Sequence, residues 1–374
     1  MRYFLIAGEA SGDLHASNLI RALKERDAVA EFCFLGGDLM AEASASAPVI
    51  HYRRMAFMGI VNVVLNLRTV LANLQRCKEK LLQFRPDVVI LVDYPSFNLR
   101  IAKFVKQKMT IPVYYYISPK IWAWKEYRIK SIKRYIDKMY CILPFEVDFY
   151  KKHGYEVEYV GNPTMDSVSD FKAKAPCSEA FLATNELTEK PVVALLAGSR
   201  RQEIAKCLPR MARMATCFPE YQFVVAGAPG VETAFYEKYV AGLPIVFGQT
   251  YALVQNAYAA VVNSGTATLE TALIGTPQVV VYHVVGGRFA SLLKKILLHI
   301  PYVSLVNLIA GKEVVPELVA HLFTDENLKK HLSPLLYDER VRAEQQNGYA
   351  LVADRLGNAA CATNTAKLIY GSLQ

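Results

Sequence analysis

The sequence lacks the features of several large protein classes. Among its 374 residues no apolar run reaches the roughly 18 residues that a membrane-spanning helix requires. The seven cysteines stand singly without a Cys-x-x-Cys pair, and this spacing disfavours a metal cluster and a disulfide framework. Short-period repeats and low-complexity tracts are also missing. These absences leave a globular protein without a structural metal cluster.

Acidic side chains are fewer than basic ones. The chain has 34 Asp and Glu residues against 43 Lys and Arg residues, a net charge of +9. This excess attracts anions, which include nucleic acid, nucleotides, phosphorylated substrates and acidic lipid headgroups, and charge alone does not choose among them. The length predicts two domains.

The N-terminal segment has only a short apolar run, because Glu9 and Asp13 follow it at once. A secretory signal requires a longer apolar region. We therefore expect residues 3–7 to form a buried strand and the protein to remain in the cytoplasm.

Short apolar runs then alternate with longer amphipathic ones, which is the repeat of a doubly wound parallel sheet. In the first half the predicted strands are residues 3–7, 31–35, 88–92, 113–117 and 139–143, and the predicted helices are residues 14–24, 65–84, 99–108 and 147–153. After a polar stretch at 167–190, which we expect to be a linker, the pattern restarts. Its strands are predicted at 192–196, 222–226, 245–247, 259–262 and 278–282. We therefore predict an α/β fold of two Rossmann-like domains that face each other across a cleft, with ligands beyond the carboxyl ends of the strands.

A turn of small polar residues, Asn263-Ser264-Gly265-Thr266, lies between a predicted strand and a predicted helix. Gly265 allows close backbone approach, the hydroxyls of Ser264 and Thr266 offer hydrogen bonds, and the N–H groups of the helix start attract an anion. Glu270 follows one turn later, where a carboxylate could accept both hydroxyls of a ribose. The alternative is that Ser and Thr only cap the helix and Glu270 is an exposed acid.

A second turn of this kind, Gly198-Ser199-Arg200-Arg201, follows the first strand of the second half. An arginine fork at a helix start can bind two diphosphate oxygens. The alternative is a surface arginine pair, but the presence of two anion-binding turns in one domain favours the functional interpretation of both.

In the first half, Asp93 ends an apolar strand and precedes Tyr94-Pro95. A partly desolvated carboxylate at this position is placed as a general base, although it could instead fix the turn at Pro95. The motif Gly8-Glu9-Ala10-Ser11-Gly12-Asp13 also follows a strand. It departs from G-x-G-x-x-G, which disfavours a nicotinamide cofactor. Glu9, Ser11 and Asp13 are candidates for the cleft, unless Ser11 or Asp13 caps the helix.

Two segments, 57–68 and 288–298, combine bulky apolar residues with cations and suit helices in a membrane interface. They could equally be core or dimer-interface helices. The aromatic run around Trp122 and Trp124 is followed by a basic helix, a combination that also occurs in nucleic-acid binding proteins, although such aromatics are more often core.

Several of these segments together resemble the lipid-A-disaccharide synthase family of glycosyltransferases. The Ser-Pro-x-x-Trp-Ala-Trp run is specific to that family, whereas many nucleotide-sugar transferases share the Gly-Thr-x-x-x-Glu turn. The resemblance extends in family order from the first strand to beyond residue 310. It rests on Ala7-Gly8-Glu9-Ala10-Ser11-Gly12-Asp13, Met58-Gly59-Ile60-Val61, Pro86-Asp87-Val88 with Asp93, Ile117-Ser118-Pro119-Lys120-Ile121-Trp122-Ala123-Trp124, Leu143-Pro144-Phe145-Glu146, Gly198-Ser199-Arg200, Ser264-Gly265-Thr266-Ala267-Thr268-Leu269-Glu270 and Tyr302-Val303-Ser304-Leu305-Val306-Asn307-Leu308-Ile309-Ala310-Gly311.

The resemblance implies a GT-B fold and a metal-independent, inverting transfer from UDP-2,3-diacylglucosamine to 2,3-diacylglucosamine 1-phosphate. It implies Asp93 as the general base, Arg200 as the diphosphate partner, Glu270 as the ribose ligand and Asn307 as a further polar group of the active site. It also implies an acceptor domain of residues 1–168, completed by 345–374, and a donor domain of residues 169–344. No cofactor and no nucleic acid are expected, a homodimer is compatible with it, and the cytoplasmic face of the inner membrane is the expected location.

Two other functions remain open from the sequence. A UDP-sugar epimerase, or a transferase for another lipid acceptor, would share the Ser264 turn but would not need two interfacial helices. A non-catalytic protein that binds nucleic acid or acidic lipid would use the positive charge alone.

Overall fold

The computed structural model describes residues 1–55, 67–240, 242–283 and 301–374. The chain divides into two compact units, residues 1–163 with 358–374, and residues 164–357. Each unit is built on one parallel sheet with helices on its faces.

The described part of the first unit contains a seven-stranded sheet in the order β3-β2-β1-β4-β5-β6-β7. Every neighbouring pair is parallel. The central strands are buried on both faces, as their near-continuous apolar sequences require. The strands are β1 Arg2–Ala7, β2 Glu31–Gly36, β3 Ile50–His51, β4 Val88–Val92, β5 Val113–Tyr116, β6 Lys138–Cys141 and β7 Glu158–Tyr159.

Helices cover both faces of this sheet, and each face has its own apolar core. The last helix, α17, returns to this unit, where the hydroxyl of Tyr116 lies 3.3 Å from Cys361 Sγ. The helices of the first unit are α1 Ala10–Arg26, α2 Asp38–Ser44, α3 Leu67–Phe84, α4 Pro95–Lys108, α5 Ile129–Tyr135, α6 Phe145–Lys152 and α17 Cys361–Gly371. Two short 3₁₀ turns occupy Tyr52–Arg54 and Glu126–Arg128.

The second unit repeats the plan with a sheet whose described strands follow the order β10-β9-β8-β11-β12-β13, again with every pair parallel. Its strands are β8 Val192–Leu196, β9 Gln222–Gly227, β10 Ile245–Phe247, β11 Ala257–Asn263, β12 Gln278–Tyr282 and β13 Glu317–Val319. Its helices are α7 Pro163–Lys172, α8 Ser178–Thr184, α9 Arg201–Ala212, α10 Met214–Cys217, α11 Thr233–Tyr236, α12 Thr250–Gln255, α13 Thr266–Ile274, α14 Leu305–Ala310, α15 Asp325–Tyr337 and α16 Glu339–Leu356, with a 3₁₀ turn at Ala320–Leu322.

The β–α alternation predicted from the sequence is confirmed in both halves. The stretch 167–190, expected to be a linker, instead contains most of α7 and all of α8, whose Phe181 is buried. Strands β3, β7 and β13 are only two or three residues long, too short to produce an alternating pattern.

The end of the chain differs in one respect from the expected return at residue 345. Helix α16 belongs to the second unit, and residues 358–374 belong to the first. Gln345 of α16 explains this assignment, because its Oε1 accepts from Gln278 N at 2.5 Å and its Nε2 donates to Gln278 O at 3.2 Å. The helix is thereby fastened to β12.

Most of the segment 57–68 and all of 288–298, both predicted to meet a membrane, lie outside the described residues. Among the residues that the structure describes, no helix is long and apolar enough to cross a membrane.

Candidate active site

Each sheet has one switch point, where the chain turns from building one side of the sheet to building the other. In the first sheet it lies between β1 and β4, and in the second between β8 and β11. Loops diverge beyond the carboxyl ends of the strands at such a point and leave a crevice for ligands. The polar motifs singled out from the sequence follow these four strands.

The turn at Asp93 is held in an unusual backbone conformation. Asp93 and Tyr94 have φ of 44° and 48°, both in the left-handed region, and each such non-glycine residue costs on the order of 1–3 kcal/mol. Two buried donors stabilise the turn: the Tyr115 hydroxyl and Asn98 Nδ2 (2.7 Å) both donate to the Asp93 carbonyl oxygen. Strain maintained by such contacts indicates a functional position.

The Asp93 turn packs against the turn that follows β1. The ring of Tyr94 lies on Gly8 so closely that a Cβ at this glycine would come within 2.3 Å of the ring. The Tyr94 hydroxyl donates to Met55 O at 2.7 Å. Burial, together with the charge of Glu9, raises the pKa of Tyr94. The structure therefore brings Glu9 and Asp93 to the same edge of the sheet.

The electrostatic environment of Asp93 suits a proton acceptor. Its carboxyl group is half-buried, and this burial raises its pKa, while the positive charge of Lys120 partly offsets the rise. A carboxylate with a raised pKa is a stronger base than one in water, and a nearby cation favours its ionised form.

The three candidates around α1 have different environments. Glu9 is half-buried at the position that precedes α1, and Ser11 is exposed in the first turn of that helix. Asp13 is only 3% exposed, and its carboxylate accepts from three backbone N–H groups at the start of α2, those of Gly37 (2.7 Å), Leu39 (3.2 Å) and Met40 (3.2 Å). Asp13 thus caps α2 rather than its own helix.

A buried carboxyl group that the sequence did not single out for a role lies beside this region. Glu146 accepts from the Ser118 hydroxyl (2.5 Å), from Trp122 Nε1 (3.0 Å) and from Leu143 N (3.1 Å). Complete burial raises the pKa of Glu146 to about 7, and these donors limit the rise. Glu146 therefore holds the Ser-Pro-x-x-Trp segment after β5 against the end of β6.

In the second unit, the turn after β8 touches the end of β11. Gly198 has φ of 112°, and a Cβ there would come within 2.6 Å of Glu203 Oε2 and 2.9 Å of Asn263 Nδ2. Only glycine fits both the conformation and the space. Arg200 follows directly, more than half exposed, with Nη1 2.8 Å from Glu203 Oε1. The structure therefore places the Arg200 turn beside the Ser264 turn.

The Ser264 turn is open. Gly265 is extended, with φ of 170°, and no heavy atom lies within 4 Å of where its Cβ would be. Ser264 Oγ donates to Val303 O at 3.0 Å, and Thr268 Oγ1 donates to Gly265 O at 2.8 Å. Because Gly265 has no side chain to cap α13, and Thr266 at its start is exposed, the helix start suits an anion.

Glu270 is half-buried, not the exposed acid that was the alternative. Burial raises its pKa, and a hydrogen bond from the Tyr251 hydroxyl opposes the rise. Tyr251 also lines a cavity of about 420 Å³ at the carboxyl ends of β9 and β10. No sequence motif pointed to this cavity. Its wall is formed by Phe171, Pro176, Gly227, Pro229, Gly248, Gln249, Thr250, Tyr251 and Ala252.

Asn307 is fully buried, and its amide is engaged within its own loop. Its Oδ1 accepts from Val314 N (2.7 Å) and Val315 N (3.0 Å), and its Nδ2 donates to Val315 O and Glu317 Oε1, both at 2.9 Å. Glu317 in turn accepts from the N–H groups of residues 303 and 304. Asn307 thus braces the loop that receives the Ser264 hydroxyl.

A search for metal-binding clusters of three or more His, Cys, Asp and Glu side chains finds none in the described part of the chain. Among the described residues, positive groups at the two turns of the second unit include the Arg200 and Arg201 guanidinium groups and the start of α13.

Comparison with known proteins gives concordant results. The family model described as lipid-A-disaccharide synthetase matches residues 3–368. A lipid-A-disaccharide synthase from Myxococcus xanthus is 37% identical over 98% of this chain and 96% of its own length. One from Syntrophus aciditrophicus is 36% identical over 94% of this chain and 93% of its own length.

Solved structures show the same fold at low identity. The UDP-GlcNAc 2-epimerase from Neisseria meningitidis, bound to UDP-GlcNAc, has a TM-score of 0.68 at 13% identity, covering 100% of this chain and 99% of its own. The glycotransferase of kitacinnamycin has a TM-score of 0.66 at 12% identity, with coverage of 100% and 99%. These similarities and the two parallel sheets confirm the predicted GT-B fold class.

Proposed function

The chain belongs to the lipid-A-disaccharide synthetase family, and we propose that its substrates are UDP-2,3-diacylglucosamine and 2,3-diacylglucosamine 1-phosphate. It is a hexosyltransferase of lipid A biosynthesis. The products would be a β-1,6-linked disaccharide 1-phosphate and UDP. The observation that carries this proposal is the strained Asp93 turn at the switch point of the first sheet.

In the proposed reaction, the Asp93 carboxylate accepts the proton of the acceptor 6-hydroxyl while the oxygen of that hydroxyl attacks the anomeric carbon. The bond between this carbon and the diphosphate breaks, and UDP leaves with its electron pair. Attack opposite the leaving group inverts the anomeric centre. The raised pKa of Asp93 supports the role, because a stronger base removes the proton more readily.

The leaving diphosphate would lie against the two adjoining turns of the second unit. Arg200 supplies a fork for two oxygens, the hydroxyl of Thr266 supplies a donor, and the open backbone at Gly265 permits close approach. The Ser264 hydroxyl, which donates to Val303 O, would hold the turn in place. These groups neutralise charge that develops in the transition state.

The nucleoside would occupy the space beside Glu270 and Tyr251. The Glu270 carboxylate is a fitting acceptor for two ribose hydroxyls, and the cavity next to Tyr251 is lined by one carboxamide, that of Gln249. A carboxamide can both donate to and accept from the edge of a uracil ring. Gly248 leaves room for the ring, because no heavy atom lies within 4 Å of where its Cβ would be.

The remaining candidates would act around these groups. We assign Glu9 and Ser11 to the acceptor side, because they follow Gly8, on which the Tyr94 ring of the Asp93 turn packs. Asp13 would position α2, and Asn307 would position the loop beneath Ser264. The acceptor domain would be the first unit, residues 1–163 with 358–374, and the donor domain the second unit, residues 164–357. We further propose a peripheral location on the cytoplasmic face of the inner membrane and a homodimer.

The direct test is incubation of the purified chain with both acylated substrates in detergent, with mass spectrometry of the products. We expect a disaccharide 1-phosphate and one UDP per disaccharide. UDP-GlcNAc incubated alone serves as the control for epimerisation. Epimerised UDP-GlcNAc without any disaccharide would overturn the proposal.

A chelator tests whether Arg200 and the start of α13 neutralise the charge of the leaving diphosphate without a metal ion. Addition of a chelator should leave the rate unchanged. A loss of turnover that magnesium restores would contradict this assignment.

A further inference from the structure

Two aromatic rings project from the surface of the first unit within four residues of one another. Trp124 is 53% exposed and Tyr127 is 69% exposed. Two large aromatic rings exposed at neighbouring positions form an apolar patch on the surface. Exposed apolar patches with polar rims mark sites of interaction with proteins, membranes or ligands. We call Lys120, Trp124, Lys125, Tyr127, Arg128 and Lys130 the aromatic-basic patch.

The patch is strongly positive. Six basic residues and one acidic residue occur between Lys120 and Arg134. The one acid, Glu126, has Oε1 only 3.1 Å from His153 Nε2, so its charge is directed toward that imidazole. Lys120 and Lys130 are exposed. Aromatic rings flanked by exposed cations complement a binding partner whose interior is apolar and whose outer layer carries negative charge.

The patch adjoins the Asp93 turn. Arg128 Nη2 donates to Ser96 Oγ at 2.9 Å, and Ser96 lies in the first turn of α4, three residues after Asp93. Burial raises the pKa of Asp93, and Lys120 is the cation whose charge partly offsets this rise. A surface bound at the patch would therefore lie next to the carboxylate that the proposed reaction uses.

The interior of the same loop is fixed, so that the rings are presented rather than free to fold inward. Trp122, two residues before Trp124, is anchored by its Nε1 hydrogen bond to the buried Glu146. Lys125 has φ of 58°, which turns the chain between the two exposed rings. Its Nζ lies 4.0 Å from the centroid of the Trp124 ring. One face of that ring is thus covered, which disfavours it as a platform for stacked bases.

We propose that the aromatic-basic patch binds an anionic lipid bilayer, with Trp124 and Tyr127 in the interface and the basic side chains at headgroup phosphates. The inference rests on the proposed function, since a diacylated acceptor would reach Asp93 from that surface. It identifies a contact surface in the first unit that is formed by other residues than those of segments 57–68 and 288–298.

The chain contains only two tryptophans, which allows a direct test. Trp124→Phe leaves Trp122 as the sole indole, so the difference between wild type and this variant isolates Trp124. Full-length protein is mixed with vesicles of phosphatidylcholine and phosphatidylglycerol in equal amounts, with and without brominated acyl chains. We expect a blue shift and bromine quenching in the wild type, and neither in Trp124→Phe.

Affinity provides the second measurement. We expect the double variant Trp124→Ala/Tyr127→Ala to bind these vesicles about tenfold more weakly in a sedimentation assay. Tyr337→Ala removes an aromatic residue of the second unit that is 59% exposed and should leave vesicle affinity unchanged. Vesicles of phosphatidylcholine alone should bind the wild type more weakly than the mixed vesicles.

Three outcomes would overturn the proposal: equal vesicle affinity of the double variant and wild type, absence of quenching of Trp124 in protein that sediments with vesicles, or a Trp124 emission shift with single-stranded RNA but not with vesicles. Turnover of detergent-dispersed substrates separates this proposal from the proposed function. Wild type that forms disaccharide in detergent yet fails the vesicle tests would overturn the patch alone.

Discussion

At the switch point of the first sheet the chain leaves β4 through two residues in the left-handed region, whereas at the switch point of the second sheet it leaves β11 through an extended glycine. The Asp93 turn is packed against Gly8 and fastened by Tyr115 and Asn98. The Gly265 position is surrounded by open space. Equivalent positions in two similar sheets are therefore built in opposite ways.

The difference follows from what each turn would have to bind. A general base must direct one carboxylate at one proton, and a rigid backbone limits the directions that the side chain can take. A diphosphate site must instead admit a bulky anion to backbone N–H groups, which requires the absence of side chains. The strained backbone of the first turn would thus orient a carboxylate, whereas the open space at the second turn would give an anion access to the backbone.

The largest expected effect tests the rigid turn. Asp93→Asn should reduce disaccharide formation by at least about 100-fold, since the amide cannot accept the proton, with the Kd for UDP unchanged by calorimetry. Asp87→Asn is the matched control at the opposite end of the same strand, where the carboxylate accepts from Arg2 N, and it should retain turnover. Comparable turnover in Asp93→Asn and wild type would remove Asp93 as the base.

As the proposed base, Asp93 should also set the pH dependence of the wild type through its raised pKa. Because the base works only when ionised, kcat/KM should fall as pH decreases through this pKa, at a higher pH than an ordinary aspartate would give. The measurement is a kcat/KM profile.

The next largest expected effect is on UDP binding by the second unit. The substitution should leave the Asp93 turn of the first unit unchanged. Glu270→Gln should weaken UDP binding by about 10- to 100-fold, because charge-assisted hydrogen bonds to ribose hydroxyls are lost. The discriminating ligand in calorimetry is 2′-deoxy-UDP, for which the loss should be much smaller than for UDP. Equal losses for both nucleotides would show that Glu270 does not contact the 2′-hydroxyl.

A methyl group can be added at Gly265, in the open Ser264 turn, without unfolding the protein. Gly265→Ala should change the free energy of unfolding by less than about 1 kcal/mol, since its backbone is extended, yet it should weaken UDP binding about tenfold. Gly198→Ala is the contrasting variant, because its φ of 112° and the close Glu203 make alanine costly. Urea unfolding and UDP titration check the pair, and an unchanged UDP affinity in Gly265→Ala would contradict an anion at this turn.

The smallest effect tests the fastening of the rigid turn. Tyr115→Phe removes one of two donors to the Asp93 carbonyl, and we expect kcat to fall about fivefold with KM retained. Tyr114→Phe is the matched control, since the Tyr114 hydroxyl accepts from Ser372 Oγ instead. A change in KM alone would argue against a positioning role.

Polar residues at strand ends were sufficient to predict where the candidate site lies, because parallel strands share one carboxyl edge. The contacts that complete it were not predictable, since they join residues distant in sequence. Tyr115 reaches back 22 positions to Asp93, and Tyr251 reaches Glu270 from another helix. Asp13 matched a helix cap in the sequence, yet the helix that it caps begins 25 residues further along the chain.

The return of α17 to the first unit has a consequence for biosynthesis. Cys361, Ala366 and Ile369 are fully buried in the core that also contains Tyr3. During translation, residues 164–357 leave the ribosome before α17 exists, so the second unit can fold while the first still exposes an apolar surface. The unit that is begun first would therefore be completed last, and pulsed proteolysis of stalled nascent chains should show protection of the second unit ahead of the first.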